Sequence, residues 1–92
     1  MADDASVWIF SGAGGRFASG VFSEKDAAVN WIEKWKLSGT LTKYPVDVGV
    51  YDWAIARGIF DVKKESERSA EYIQRFTSAG QEHCHFENGI EE

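Results

Sequence analysis

Two histidines flank the only cysteine in His83-Cys84-His85. Alternate residues of a strand share a face, so His83 and His85 would stand side by side, at a spacing two ligands of one metal can use. Glu87 shares that face but lies two further pleats from His83, roughly 13–14 Å at ~3.4 Å per residue. That is too far for one flat strand to bring both onto one ion. The chain has no third histidine. The expectation is therefore a polar sheet face with two titrating imidazoles, without metal or cofactor, and His83 with His85 is the one candidate metal pair. Cys84 would point the other way, alongside Phe86, as a small buried hydrophobe. A nucleophile needs its base within hydrogen-bond reach, and that geometry denies Cys84 its neighbours.

The second candidate is the glycine-rich run Ser11-Gly12-Ala13-Gly14-Gly15-Arg16. Phosphate loops place glycines at the start of a helix, where backbone N–H groups and the dipole meet the anion. Here Arg16 and a strand-like segment follow instead. A hairpin turn is the simpler expectation, since glycine supplies the positive φ such turns use. The fork of Arg16 is still suited to a carboxylate or phosphate.

Asp47 and Asp52 flank a four-residue segment, and paired acids can divide acid and base work when their environments separate them. Their positions suit capping and first-turn roles in a short helix better. Tyr44, Tyr51 and Trp53 are candidate contact residues, because exposed Tyr and Trp anchor protein interfaces. Trp8 joins them: in Val7-Trp8-Ile9-Phe10 both faces of a strand are bulky, which suggests a strand covered twice or one that meets a partner.

These residues need elements to position them. Residues 6–11 read as a strand and 17–22 as its return, a hairpin across the glycines. Ser23 is a fitting N-cap, with Asp26 in the first turn. Ala28, Trp31, Ile32 and Trp35 then fall at i, i+3, i+4 and i+7, which predicts an amphipathic helix over 24–37 with Gly39 as its C′ residue. A strand follows over 40–46, ended by the only proline. Residues 47–49 turn the chain into a helix over 50–57, with Val50, Tyr51, Ala54 and Ile55 inward and Gly58 as its stop. After the charged segment 61–68, Ser69 would cap a helix to about Thr77 with Tyr72, Ile73 and Phe76 as its stripe. Residues 81–88 read as a last strand. The expected fold is α+β: a small mixed or antiparallel sheet of about four strands, one main amphipathic helix and two shorter ones. It forms a single domain over 6–88, with tails at 1–5 and 89–92.

Composition narrows the function. With 14% aromatic residues and four Trp in 92 residues, a few large rings can form a modest core. One cysteine forms no internal disulfide. No stretch approaches the ~18–20 apolar residues of a membrane helix and no signal-like start is seen, so a cytoplasmic location is expected. A net charge of −5, with basic residues interleaved among acids, lacks the basic footprint of nucleic-acid binding. It could instead face a basic partner.

From Val7 to Phe60 the chain resembles a family of small bacterial domains of unknown function. The pattern is an aromatic strand, Gly-Val-Phe-Ser into a helix ending near Trp-Ile, then Leu-Ser-Gly-x-Leu-Thr-x-Tyr-Pro and Gly-x-Tyr-Asp-Trp. The resemblance implies no catalytic residue. The reading is a non-catalytic protein-interaction module that binds itself or another protein. The alternative is a domain for a small anionic ligand, or an enzyme, using the glycine loop, Arg16 and the segment from Tyr44 to Trp53.

Overall fold

The computed structural model describes residues 5–92. The tail expected at 1–5 therefore lies outside the described residues but for Ala5. The chain forms two compact units: one holds the described residues up to Val46 together with Gln81–Glu92, the other Asp47–Gly80.

The first unit is a five-stranded sheet with one helix. Its strands are β1 (Ser6–Gly12), β2 (Gly20–Phe22), β3 (Gly39–Pro45), β4 (His83–Glu87) and β5 (Ile90–Glu91), in the order β2-β1-β3-β4-β5. Every pairing is antiparallel. The fold class is thus α+β, with an all-antiparallel sheet and one strand more than expected. The added strand is β5, in a stretch that reads as a tail. Asn88 and Gly89 turn the chain at φ 53° and 84°, and Ile90 then pairs with Glu87. Asn and Gly are the residues that reach this left-handed region most easily.

Helix α1 (Lys25–Trp35) buries Ala28 and Ile32. They pack against Trp8, Phe10, Leu41, Cys84 and Phe86, with Phe22, Val29, Trp31 and Leu37 around them. The register explains this set. Phe10 lies opposite Leu41, and Leu41 opposite Cys84, so alternate residues of three strands form one apolar row. Trp31 meets Phe10 edge-on, ring centres 5.8 Å apart, and tilts on Phe22 at 5.5 Å.

Three details of α1 differ from expectation. Its N-cap is Glu24, without a side-chain bond, so Ser23 does not cap it. The helix stops at Lys36, not Gly39: Lys36 sits at φ 56°, Leu37 N–H donates to Ile32 O (3.0 Å), and Lys36 N–H to Glu33 O (3.3 Å). This 6→1 and 5→2 pair is a Schellman motif. Leu37 then packs against the core, and Trp35 is left 60% exposed with Lys34 Nζ 5.3 Å from its ring centre. Gly39 serves the sheet instead. It pairs with Gly12, where the two backbones approach too closely for a side chain.

The second unit contains α2 (Val50–Ala56), a 3₁₀ turn (Glu65–Arg68) and α3 (Ala70–Gln74). Tyr51, Phe60, Tyr72 and Phe76 form its aromatic cluster, with ring centres 5.0–6.4 Å apart. Tyr51 Oη donates to Glu67 O at 2.8 Å. Gly58, at φ 73°, ends α2 as expected, with Ile59 N–H donating to Ala54 O. Ser69 Oγ caps α3 by accepting from Tyr72 N–H at 3.2 Å. Helix α3 stops at Gln74, well before Thr77, so it cannot bury three stripe residues: Tyr72 and Phe76 join the cluster, while Ile73 is exposed. Ile55, expected inward, is exposed too, because Tyr51 and Ala54 are the residues α2 buries.

Candidate functional site

Helix α1 covers one face of the sheet. Strand alternation puts the other set of side chains on the opposite face: Val21 on β2, Val7 and Ile9 on β1, Thr40, Thr42 and Tyr44 on β3, His83, His85 and Glu87 on β4, and Ile90 on β5. The register makes rows of them. Val21 stands opposite Ile9, Ile9 opposite Thr42, and Thr42 opposite His83; Val7 stands opposite Tyr44. Val21 is 63% exposed and Ile90 71%; Ile9, Val7 and Tyr44 are half-buried. The β2–β1 side of this face is therefore apolar, and the β4 side carries imidazoles, with Ile90 at the edge beyond them.

The histidines are placed as strand geometry predicts. His83 and His85 are exposed, with ring centres 5.2 Å apart and planes at 87°. His83 Nδ1 lies 2.8 Å from the Gln81 carbonyl oxygen. A carbonyl only accepts, so Nδ1 carries the hydrogen and the neutral ring presents the Nε2 lone pair. His85 Nδ1 lies 3.4 Å from Thr40 Oγ1, its partner residue across the strand pair. Among the described residues no group of three or more His, Cys, Asp or Glu side chains is close enough to hold an ion.

Cys84 points into the core, 7% exposed, and burial pushes its thiol up from the ordinary range, against a smaller opposing effect of the Lys25 charge. That fits the hydrophobe expected. Lys25 Nζ also lies 5.4 Å from the Trp8 ring centre.

The other candidates fall in different surroundings. Arg16 is exposed in the β1–β2 loop, its guanidinium 5.8 Å from the Phe17 ring centre. In that loop Gly15 N–H already donates to Gly12 O and Ala13 N–H to Ser38 O, so these two donors hold the turn. Trp8 and Tyr51 are 7% and 8% exposed; their rings pack within the sheet and helical units. Tyr51 thus faces inward, as the helix spacing predicts, and Trp8 lies on the face that α1 covers. Tyr44 is half-buried on β3. Trp53 is half-buried on α2, with Arg57 Cζ 5.7 Å from its ring centre. Asp47 sits at φ 66° in the turn and is exposed. The N-cap of α2 is Gly49 with no side-chain bond, so Asp47 caps nothing there, while Asp52 occupies the first turn. In the same unit Glu67 is held below the ordinary carboxylate range, chiefly because its Oε1 accepts the Lys63 N–H at 2.7 Å, with Lys64 N–H adding to this.

Sequence reasoning missed Val21 and Ile90 as parts of this surface. Val21 lies in a return strand too short to show which face is buried, and Ile90 in a stretch that reads as a tail. The signal that would have found Ile90 is the Asn88-Gly89 pair, which marks a hairpin.

Over residues 7–92 the chain matches the family described as Domain of unknown function (DUF7710). No curated protein and no solved structure matches it. Among the described residues no helix is long and apolar enough to cross a membrane.

Proposed function

Because the chain belongs to the DUF7710 family of domains of unknown function, we propose that it acts as a non-catalytic protein-interaction module, binding either a second copy of itself or another protein. One observation carries this reading. The sheet face opposite α1 presents Val7, Ile9, Val21 and Tyr44 as a contiguous block, with Val21 63% exposed. Apolar and aromatic side chains gathered on an accessible surface are what association removes from water. The edge strands β2 and β5 have three and two residues, too short to template strand addition well, so the face is favoured over the edges. The free Cys84 suits a reducing compartment such as the cytoplasm.

Light scattering across protein concentrations, run beside capture from native lysate, tests the reading with wild-type chain and Val21→Lys. The wild type should self-associate or retain a protein that Val21→Lys loses, with an unchanged circular dichroism spectrum. A wild type that stays monomeric and captures nothing beyond what the variant captures would end it. A melting-temperature rise with small anions that Arg16→Ala abolishes would support the alternative, in which Arg16 serves a small anionic ligand.

A further inference from the structure

The imidazole side of the open sheet face carries a second inference, independent of whether its apolar side binds protein. His83 and His85 project from alternate positions of β4, the rigid element best suited to fix two ligands. At the ~2.0–2.1 Å Zn–N distance and a tetrahedral angle, two ligating rings have their centres about 5 Å apart. The two rings stand 5.2 Å apart with their planes at 87°, the centre spacing that a shared ion requires. The backing is also that of a ligand. Metal-bound imidazoles commonly donate their second ring N–H to a carbonyl or similar acceptor, which fixes the tautomer. Gln81 O does this for His83 at 2.8 Å, and Thr40 Oγ1 stands 3.4 Å from His85 Nδ1. For His83 this leaves the Nε2 lone pair to a ligand, and His85 presents its own in the tautomer whose Nδ1–H donates to Thr40 Oγ1.

We propose that His83 and His85 form a two-imidazole chelate for one divalent transition-metal ion of the zinc, nickel or copper class. Water fills the remaining positions, which makes the site open and exchangeable, unlike the closed four-ligand sites of structural zinc. Imidazole selects these ions over magnesium and calcium, which prefer oxygen. Cys84 faces the core and takes no part. Other titratable groups on this face are acidic. Glu87 follows on β4, and Glu92, whose N–H donates to His85 O at 2.8 Å, stands across from His85. From β3 the face receives the uncharged Thr40 and Thr42.

Calorimetric titration of the whole chain with zinc chloride, and amide and imidazole NMR during the same titration, test this. One ion per chain should bind, with resonance changes centred on His83, His85 and Thr40. His83→Gln and His85→Gln should each weaken binding about 10–100-fold or more, with unchanged circular dichroism since both side chains are exposed. Magnesium should not compete, and binding should weaken in acid, where protons compete with the metal for the ring nitrogens. No saturable binding at millimolar zinc would overturn the proposal. So would zinc binding that survives the double His→Gln variant, dependence on only one histidine, or resonance changes centred on acidic residues elsewhere.

Discussion

Gly39 and Cys84 show how single residues of the sheet unit answer to space and to solvent. A methyl group on Gly39 would collide with the Ser11 carbonyl oxygen and lie 2.8 Å from Gly12 Cα, and its φ of 155° already disfavours a side chain. Backbone cannot swing aside as a flexible side chain would. Gly39→Ala should therefore cost roughly 3 kcal/mol or more, read as a fall in the urea midpoint with an unchanged slope. Gly14→Ala, in a turn with nothing near, isolates the cost of positive φ alone and should cost less. Cys84 answers to solvent. Its folded thiol holds the proton more tightly than the unfolded one, because burial penalises thiolate. Its contribution to stability is therefore complete below the ordinary thiol range and is lost as pH rises through the raised folded value. Iodoacetamide at pH 8 should modify Cys84 far more slowly in the folded chain than in denaturant. Equal rates would show that the thiol is open to solvent.

At the scale of elements, two helices end by the same motif with different residues. Helix α2 stops at Gly58 (φ 73°) and α1 at Lys36 (φ 56°), each closed by a 6→1 bond, Ile59 N–H to Ala54 O and Leu37 N–H to Ile32 O. A side chain is disfavoured in the left-handed region, so Lys36→Gly should stabilise the chain by about 1 kcal/mol, visible as a higher melting temperature. A lower one would mean that Lys36 contributes more than its backbone position. The same pair explains how far elements could be read in advance. Gly58 marked the end of α2 because glycine is the usual occupant of that position. The spacing sets the C′ residue of α1 three positions too late, at Gly39, because Lys36 carries no such mark, while Gly39, required by close strand approach, mimics one. Alternation puts Cys84 on the buried face and His83 with His85 together on the other, since a period of two needs only the strand itself. The acceptors behind the imidazoles were not legible: Gln81 O depends on local backbone path, and Thr40 on the pairing of residues 45 positions apart.

For the whole molecule, the sheet unit is discontinuous in sequence, interrupted by Asp47–Gly80. Pairing shows what the interruption costs the sheet. Strands β3 and β4 are antiparallel neighbours, and their pairing continues past the register into the connection: Lys43 N–H donates to Glu82 O at 2.9 Å and Gln81 Nε2 to Lys43 O at 3.2 Å. Chain leaving β3 and chain entering β4 thus run side by side, the arrangement a hairpin loop of two to five residues closes. The apolar row of Trp8, Phe10, Ile32, Leu41 and Phe86 comes wholly from the sheet unit. What remains after the interruption is removed is roughly 60 residues, a size at which many domains fold alone, though marginally. Replacing residues 47–80 by an Asn-Gly-centred loop should therefore leave a folded sheet, seen as dispersed amide resonances with slow exchange on β1 and β3. The shorter loop also carries a lower closure cost. A collapsed spectrum would instead make residues 6–88 one cooperative domain, with the sheet dependent on the segment between its third and fourth strands. If the shortened chain folds and still binds zinc through His83 and His85, the chelate belongs to the sheet alone.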